Sequence, residues 1–389
     1  MKSGYYKTNL SKDSMYESFY PTRLQDIKFD KFNKETLELL SAANYILGEL
    51  NGLSKGINDV NQFIAAYVRK EALYSSQIEG TQATLEDIFS TTEISILNKD
   101  IEDVVNYVKA QNYGIKLLEE YPICNRYIRM IHKVLLNNTR GSKLNPGEYR
   151  QSQNWIGHSG STLKNASYIP PNVLDMNECL ADLEKYINED FDLDDLIKAA
   201  LIHYQFETIH PFLDGNGRIG RILIILYLIS RKKLKYPCLY LSYYLKKNQF
   251  EYYERMSIVR KNNDYIQWIN FFLKGIIEMA KDSIECILML TTLRNEFKKL
   301  IKPSDYWLLE YLETTPIIDA KTTSTTLNLD YSKVNRTIIR FVDLGILKIT
   351  NTSKRNRTYI YEQYLNILKK YTQSLKLWVF SLLYIKKKY

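Results

Sequence analysis

The chain has 389 residues, more than a single hydrophobic core usually supports, so two or three domains are expected. Hydrophobic side chains make up 45% of the residues and charged ones 25%, as in a folded globular protein, and they give no indication of long disorder. The formal net charge of +9 suits a substrate or partner that carries phosphates.

The sequence carries no sign of export or membrane insertion. Its first residues lack the apolar stretch of a signal peptide. The longest wholly apolar run, Ile222 to Ile229, has eight residues, well short of the about twenty that span a bilayer. Four scattered cysteines form no C-x-x-C pair, which predicts reduced thiols. We expect a cytoplasmic protein without a transmembrane segment.

The N-terminal segment, residues 1–99, is predicted to be helical after an extended start. Five aromatic residues among the first twenty indicate the extended part, and helical periodicity begins at Glu35. A helix is predicted from Asn61 to Ile78, where apolar residues recur at helical spacing. Gly80 is a suitable residue to follow the end of that helix.

Residues 100–295 are predicted to form a helical bundle with one interruption. Gly, Pro, Asn and Ser collect between Gly141 and Asn172, which indicates loops. Inside this interruption, residues 154–157 and 166–169 are typical of two short strands, which predicts a β-hairpin flap. The segment from Gly217 to Ser230 is apolar on every side, so we expect it to be the buried central helix of the bundle.

The last segment, residues 300–389, is predicted to be a winged helix-turn-helix: three helices followed by two strands around a basic loop. Tyr331 to Leu344 is the predicted recognition helix. Basic residues of this helix and of the loop would face DNA: Lys333, Arg336, Arg340, Lys354, Arg355 and Arg357. Such domains also bind proteins or dimerise, so both DNA binding and a homodimer stay open. The apolar segment Leu375 to Ile385 is expected to pack as a core helix, with a dimer contact or a membrane surface as alternatives.

The stretch from His210 to Arg221 is predicted to bind phosphates. Gly215 and Gly217 permit positive φ angles, which let backbone N–H groups curl into a concave site for anions. A helix that begins at about Gly217 points its positive end at the same place. Arg218 and Arg221 are three residues apart, so both lie on one face of the first turn and can contact phosphate oxygens.

Two other side chains of this stretch are suited to metal binding and to general-base catalysis. Asp214 offers one hard oxygen ligand, which is enough for Mg²⁺ when substrate oxygens and water complete its coordination. His210 precedes a proline, which disfavours a helical conformation there, and it is the one base of the stretch that titrates near neutrality. The residues therefore predict a general base that activates a hydroxyl for attack on phosphorus, beside groups that stabilise the developing charge.

This stretch resembles the signature of the Fic family, H-P-F-x-[DE]-G-N-G-R-x-x-R, with every fixed position present. Fic proteins are mainly α-helical bundles, and most of them transfer AMP from ATP to a Tyr, Thr or Ser hydroxyl of a target protein. The resemblance implies that His210 is the base and that Asp214 holds Mg²⁺. It also implies that Asn216 and Arg218 hold the phosphates, with Arg221 at the γ-phosphate.

The resemblance extends to segments on both sides of the signature. Trp155-Ile156 and Tyr168-Ile169 resemble the family's flap, which holds the backbone of the target by strand addition. Gln205 and Asn248 match positions near which family members contact the nucleotide. We therefore expect the four flap residues to bind the target protein, and Gln205 and Asn248 to bind ATP.

Residues 75–80, Ser-Ser-Gln-Ile-Glu-Gly, resemble the family's inhibitory pattern, [ST]-x-x-x-E-[GN]. Ser75 and Glu79 lie four residues apart, on one face of a helix. Glu79 stands at the negative end of the helix dipole and requires a cation, which Arg221 provides through a charge-assisted contact. An Arg221 engaged in this way does not hold the γ-phosphate, which predicts an autoinhibited enzyme.

Three functions stay open at this point. The favoured one is an autoinhibited protein adenylyltransferase that uses ATP with Mg²⁺ and modifies an unknown protein or itself. The second is a DNA-binding regulator whose Fic domain senses a nucleotide or dimerises. The third keeps the loop but removes AMP from a target or moves another phosphate-linked group. The sequence identifies neither the target, nor the modified residue type, nor the oligomeric state.

Overall fold

The computed structural model describes residues 2–10, 15–29, 31–55, 60–89, 99–158, 160–350 and 357–369. Helices dominate these residues, as the sequence predicts. The chain divides into two compact units. The first contains Met1–Gly56, Tyr67–Gln82 and Lys99–Ala280, and the second contains Ile57–Ala66, Ala83–Asn98 and Lys281–Tyr389. The domain boundaries near residues 99 and 300 stay predictions.

The secondary structure alternates long helices with short loops and few strands. The helices are α1 (Lys34–Lys55), α2 (Val60–Ile78), α3 (Leu85–Phe89), α4 (Lys99–Leu117), α5 (Asn125–Leu135), α6 (Val173–Asn188), α7 (Asp195–Ile209), α8 (Asn216–Ser230), α9 (Leu241–Lys247), α10 (Gln249–Asn262), α11 (Tyr265–Leu300), α12 (Tyr306–Thr314), α13 (Ala320–Leu327), α14 (Tyr331–Asp343) and α15 (Glu362–Lys369). The strands are β1 (Gly4–Asn9), β2 (Tyr16–Pro21), β3 (Ile317–Asp319), β4 (Lys348–Ile349) and β5 (Thr358–Ile360).

Helix α8 is the buried centre of the first unit. Every residue from Arg218 to Leu228 is buried, and the helix packs against α4, α5 and α7. Because apolar residues follow one another without a polar face, the helix is stable only when other helices cover it on all sides. The predicted central position is confirmed.

The aromatic N-terminal residues form an antiparallel hairpin of β1 and β2. The rings of Tyr5 and Tyr20, which face each other across the two strands, stack with their centroids 5.2 Å apart. Phe19 is buried, and its N–H donates to the carbonyl of Ile169 at 2.9 Å. The hairpin is therefore hydrogen-bonded to the segment predicted to be the flap.

The flap itself is less regular than predicted. Ile156 and Tyr168 exchange both backbone hydrogen bonds, at 2.8 and 3.1 Å, and form one isolated antiparallel pair. The next residue, Ile169, pairs with β2 instead, and the indole N–H of Trp155 donates to the carbonyl of Ser161 at 2.9 Å. The prediction of two strands is therefore wrong in extent. The next ladder position on one side is Pro170, which has no N–H, and Nε2 of Gln153 donates to its carbonyl instead.

The second unit contains α12, β3, α13, α14, β4, β5 and α15, with an antiparallel sheet in the order β3-β5-β4. The three predicted helices and the two predicted strands are present, and β3 is an addition that the sequence did not indicate. The winged helix-turn-helix assignment stays a prediction. Of its basic residues, Lys354 and Arg355 lie outside the described residues, as does the apolar segment Leu375 to Ile385.

The described residues contain no helix that combines the length and the apolar character needed to cross a bilayer.

A histidine in the core of the first unit makes stability depend on pH. Burial lowers the pKa of His203, whose Nε2 lies 2.8 Å from the hydroxyl of Tyr252, to about 3. The same side chain in an unfolded chain has a pKa of about 6.5. Between these values the unfolded state binds more protons, so the free energy of unfolding falls as the pH falls.

We expect His203 to account for a loss of roughly 2 to 3 kcal/mol in the free energy of unfolding between about pH 7 and about pH 4.5. Urea unfolding of wild type and His203→Phe at both pH values measures this, and the variant should lose less stability by that amount. His158→Phe, at an exposed histidine, is the control. An equal loss in all three proteins would contradict the assignment.

Candidate active site

The backbone from His210 to Asn216 forms a tight loop between α7 and α8. His210 ends α7 in a left-handed conformation, with φ 49° and ψ 59°, and its N–H donates to the carbonyl of Phe206. Gly215 precedes α8 with φ 79°, a value that glycine adopts without steric cost. The chain therefore reverses direction within a few residues, and the loop lies at the positive, N-terminal end of the buried helix α8.

The side chain of Asn216 holds this loop closed. Its Oδ1 accepts the N–H of Phe212 and its Nδ2 donates to the carbonyl of the same residue, both at 2.8 Å. The residue is buried. The amide therefore shapes the loop that is predicted to bind anions, and a direct contact between Asn216 and phosphate stays a prediction.

Replacing Asn216 by alanine should therefore destabilise the protein. Both hydrogen bonds to Phe212 are lost and a buried N–H is left without its acceptor, which costs about 1 to 3 kcal/mol. Urea unfolding checks the value. Asn262→Ala, at an exposed position at the end of α10, should change stability by less than about 0.5 kcal/mol. Similar small effects of both substitutions would show that the loop does not need the two hydrogen bonds between Asn216 and Phe212.

Hydrogen bonds to the backbone carbonyl of His210 hold the residue in place, and they leave its imidazole ring available for proton transfer. The carbonyl of His210 accepts hydrogen bonds from Nε of Arg150 at 3.1 Å and from Nδ2 of Asn154 at 3.2 Å. Its buried Nδ1 has no hydrogen-bond partner among the described residues. Burial lowers the pKa of His210 to about 4, so the imidazole is neutral at physiological pH. A neutral ring with a free nitrogen lone pair is able to accept a proton.

A second histidine, which the sequence analysis did not single out, fixes the other side of the loop. Gly147 donates its N–H to Nδ1 of His132 at 2.9 Å, so Nε2 carries the hydrogen and donates to the carbonyl of Asp214 at 3.0 Å. The ring also stacks on Phe212 with centroids 3.6 Å apart. His132 thus joins the loop near Gly147 to the backbone that carries Asp214.

Arg221 is engaged by the end of helix α2. Its Nε donates to the hydroxyl of Ser75 at 2.8 Å, and its Nη2 donates to the Ser75 carbonyl at 3.0 Å and to Glu79 Oε1 at 2.6 Å. The side chain of Arg221 is 2% exposed, whereas that of Glu79 is 39% exposed. The two residues of the predicted inhibitory pattern therefore share one buried guanidinium, with the carboxylate at the surface of the pocket.

Glu79 also lies against the first turn of α8. A Cβ atom placed on Gly217 would collide with Glu79 Oε1 and stand 2.9 Å from Nη1 of Arg221. The carboxylate therefore comes as close to the helix N-terminus as glycine permits, where the N–H groups favour an anion. Burial raises the pKa of Glu79, but the charge of Arg221 outweighs it and holds the net pKa below its usual value. Glu79 is ionised at neutral pH.

The part of helix α2 that follows Ala66 is anchored to the rest of the first unit. Buried Glu71 accepts hydrogen bonds from the N–H and hydroxyl of Ser242 and from the hydroxyl of Tyr107. Near the end of α2, Lys246 donates to the side chain of Gln77. These contacts hold the helix in place and so fix the position of the carboxylate that follows it.

Arg218 points away from Arg221 and towards two carboxylates. Its Nη1 lies 3.4 Å from Asp103 Oδ1, and its Nη2 lies 3.4 Å from Asp214 Oδ1. Both distances are long for charge-assisted hydrogen bonds, and the buried Nε has no partner among the described residues. The side chain is only 6% exposed, and its contact with a phosphate oxygen stays a prediction.

Asp214 is the residue available for a divalent cation. Its side chain is 36% exposed, and no group of three or more His, Cys, Asp or Glu suited to a metal occurs among the described residues. A single accessible carboxylate fits Mg²⁺ that arrives with a nucleotide, because phosphate oxygens and water supply its other ligands. It does not fit a permanently bound metal.

The other residues predicted to bind the nucleotide or the target lie around this centre. Gln205 is buried and donates to the carbonyl of Thr22 at 3.1 Å, and Asn248 donates to the carbonyl of Tyr244 at 2.9 Å. Both amide nitrogens are thus engaged within the protein. In the flap, Trp155 and Ile156 are each 40% exposed, whereas Tyr168 is buried and Ile169 is half-buried.

Comparison with known families matches two adjoining segments of the chain. The model of the "Fic/DOC family" matches residues 122–228, and that of the "Fic/DOC family N-terminal" segment matches residues 37–116. The first contains the loop with His210 and Arg221, and the second contains Ser75 and Glu79.

Curated relatives match the same region. "Protein adenylyltransferase Fic" of Drosophila melanogaster is 25% identical over 237 residues, which are 58% of this chain and 44% of the relative. The protein of the same name from Drosophila virilis is 24% identical over 259 residues, which are 63% of this chain and 49% of the relative. The chain thus spans less than half the length of these relatives.

A solved structure shares the fold. The Fic family protein from Desulfovibrio desulfuricans superposes with a TM-score of 0.56 and 18% sequence identity, covering 85% of this chain and 97% of its own. The predicted helical bundle is thereby confirmed. From residue 37 to residue 228, apart from the short segment 117–121, the chain is similar to the Fic/DOC family.

Proposed function

We propose that this chain is a protein adenylyltransferase that moves AMP from ATP to a hydroxyl of a protein and that Glu79 inhibits it. One observation carries the proposal: the complete loop from His210 to Arg221 stands at the N-terminus of α8, and Glu79 is bound to its last arginine at 2.6 Å. The adenylyltransferase name of the relatives supports the same activity.

His210 acts as the general base. Its ring is neutral because burial lowers the pKa to about 4, and the negative phosphates of bound ATP raise the pKa towards neutrality by stabilising the imidazolium. The imidazole takes the proton of the target hydroxyl as its oxygen attacks the α-phosphorus. The bond to the diphosphate breaks, and AMP stays on the target oxygen.

The loop binds the phosphates around this step. Backbone N–H groups at the start of α8 and the donors of Arg218 stabilise the charge that develops on the phosphate oxygens. Asp214 would hold Mg²⁺, which neutralises phosphate charge when it is bound. Arg221 binds the γ-phosphate once Glu79 has left it, and so orients the α-phosphate towards His210.

The inhibition is a competition between two anions for one site. Glu79 occupies Nη2 of Arg221 and the space next to Gly217, and a γ-phosphate requires the same donors. While the carboxylate is in place, ATP is confined to poses in which its α-phosphate is not in line with the attacking hydroxyl. Activity therefore depends on displacing Glu79, and the flap around Ile156 presents the target once the nucleotide is correctly bound.

Labelled nucleotides test the activity directly. The Glu79→Gly chain is incubated with Mg²⁺ and ATP labelled at either the α- or the γ-phosphate, and the protein is then analysed by mass spectrometry. Adenylylation transfers the α-label and adds the mass of AMP to a Tyr, Thr or Ser of the chain or of added protein. Transfer of the γ-label instead indicates phosphorylation, and transfer of neither label rejects the proposal.

A further inference from the structure

Three basic side chains of the second unit have no acidic partner among the described residues. Lys321 lies in the first turn of α13, and Lys333 and Arg336 lie in the first two turns of α14. All three are exposed. The Nε of Arg336 donates to the carbonyl of Ser332 at 3.2 Å, which leaves the other donors of the guanidinium available to a ligand.

The acidic residues that flank these two helices are already engaged. Asp319 and Asp330 cap the N-termini of α13 and α14 by accepting the N–H of Thr322 and Lys333 at 2.8 and 2.9 Å. Asp305 binds Arg340 through both carboxylate oxygens at 2.8 Å. Asp343, also on α14, stands about 10 Å farther along the helix axis than Arg336. Both capping carboxylates keep their charge, so the three cations leave the surface at the start of α14 with a small positive excess.

Hydroxyl groups accompany these cations. Thr326 and Ser332 are exposed, and Thr322 is half-buried at the start of α13. Hydroxyl, ammonium and guanidinium groups are the side-chain donors with which proteins contact phosphate and sugar on a DNA duplex. Lys is depleted in the buried cores of protein–protein interfaces, so this composition favours a nucleic-acid ligand over a protein.

The two helices present these groups on a rigid support. Val334, Ile338 and Phe341 occupy the opposite face of α14 and are fully buried, and α13 packs directly against α14. The exposed face of α14 has the dimensions that the major groove of B-form DNA accepts, whereas the deep major groove of duplex RNA is too narrow for a helix.

We propose that the N-terminal halves of α13 and α14 form a binding surface for double-stranded DNA. Lys333 and Arg336 contact the phosphates along the major groove that receives α14, and Lys321 with Thr322 contacts the phosphates beside it. Tyr331, which is 53% exposed at the start of α14, supplies an apolar contact such as those that proteins make with the methyl group of thymine. This surface does not depend on the adenylyltransferase proposal, because it shares no residue with that site.

Fluorescence anisotropy of a labelled mixed-sequence duplex, titrated with the full chain at several salt concentrations, tests the surface. The wild-type affinity should fall steeply as salt rises, because each neutralised phosphate adds about 0.9 to the slope of log K against log salt. Lys333→Gln combined with Arg336→Gln should lower that slope by about 2 and weaken binding at low salt by at least about tenfold.

Lys299→Gln combined with Lys302→Gln removes the same charge from exposed positions of the same unit, outside α13 and α14, and should leave binding nearly unchanged. Circular dichroism confirms that both double variants are folded. Equal losses in the two variants, or no binding by the wild type at low salt, overturn the proposal. So does sedimentation equilibrium in which the Lys333/Arg336 variant dissociates a dimer while duplex binding is unchanged.

Discussion

Replacing Glu79 by glycine is expected to raise the rate at which the chain attaches AMP to itself by about 10- to 150-fold. The substitution removes the 2.6 Å contact between the carboxylate and Nη2 of Arg221, and a hydrogen bond to a charged group is worth about 1.5 to 3 kcal/mol. The freed guanidinium then binds the γ-phosphate. Incorporation of label from ATP marked at the α-phosphate measures the rate.

The matched control for this experiment is Glu119→Gly. Glu119 is exposed and lies just beyond the end of α4, as Glu79 lies just beyond the end of α2, so the substitution removes a similar charge without affecting Arg221. Its rate should equal that of the wild type. Glu79→Gln, which keeps the shape and removes the charge, should also raise the rate. Equal incorporation by wild type and Glu79→Gly would reject autoinhibition through this contact.

Replacing His210 by alanine in the Glu79→Gly background is expected to lower the transfer rate by about 10²- to 10⁴-fold, the usual contribution of a general base. ATP binding should persist, because the groups proposed to hold the phosphates lie on the first turns of α8 and in the loop before it, and not on the ring of His210. Rates come from α-labelled ATP as before, and isothermal titration calorimetry with ATP and Mg²⁺ measures binding separately from transfer.

His158→Ala is the control for that experiment, because His158 lies in the flap loop and is exposed. Its transfer rate should stay within about twofold of the parent, which corresponds to less than about 0.5 kcal/mol in the barrier. If His210→Ala retains the parental rate while His158→Ala loses it, the base lies in the flap and the assignment of His210 is wrong.

Local patterns in the sequence were sufficient to predict the centre of the fold and the loop of the site. Helix α8 is apolar on every side, which admits only a buried position. Pro211 disfavours a helical conformation at His210, and Gly215 permits the positive φ angle of the turn. The spacing of Ser75 and Glu79 likewise follows from helical geometry. In each case the signal lies within a few consecutive residues.

The residues that the sequence analysis missed act across long separations in the chain. His132 contacts Asp214, and Arg150 contacts the carbonyl of His210. A buried histidine or arginine that supports another loop leaves no periodic pattern, and its role appears only once the helices have packed. The flap is shorter than predicted because Pro170 has no N–H for the next ladder position, and the side chain of Gln153 binds its carbonyl.

The hydrogen bond from the N–H of Phe19 to the carbonyl of Ile169 limits where an extended polypeptide can pair with the flap. A strand pairs with a new strand only along a free edge, and here the hairpin of β1 and β2 covers one edge of the flap. On the opposite border, the backbone groups of Trp155 and Gly157 form no hydrogen bond within the described part of the chain. A polypeptide that adds a strand to this small sheet must therefore pair along that edge. The edge adjoins Asn154, whose side-chain amide donates hydrogen bonds to the carbonyls of His210 and Phe212.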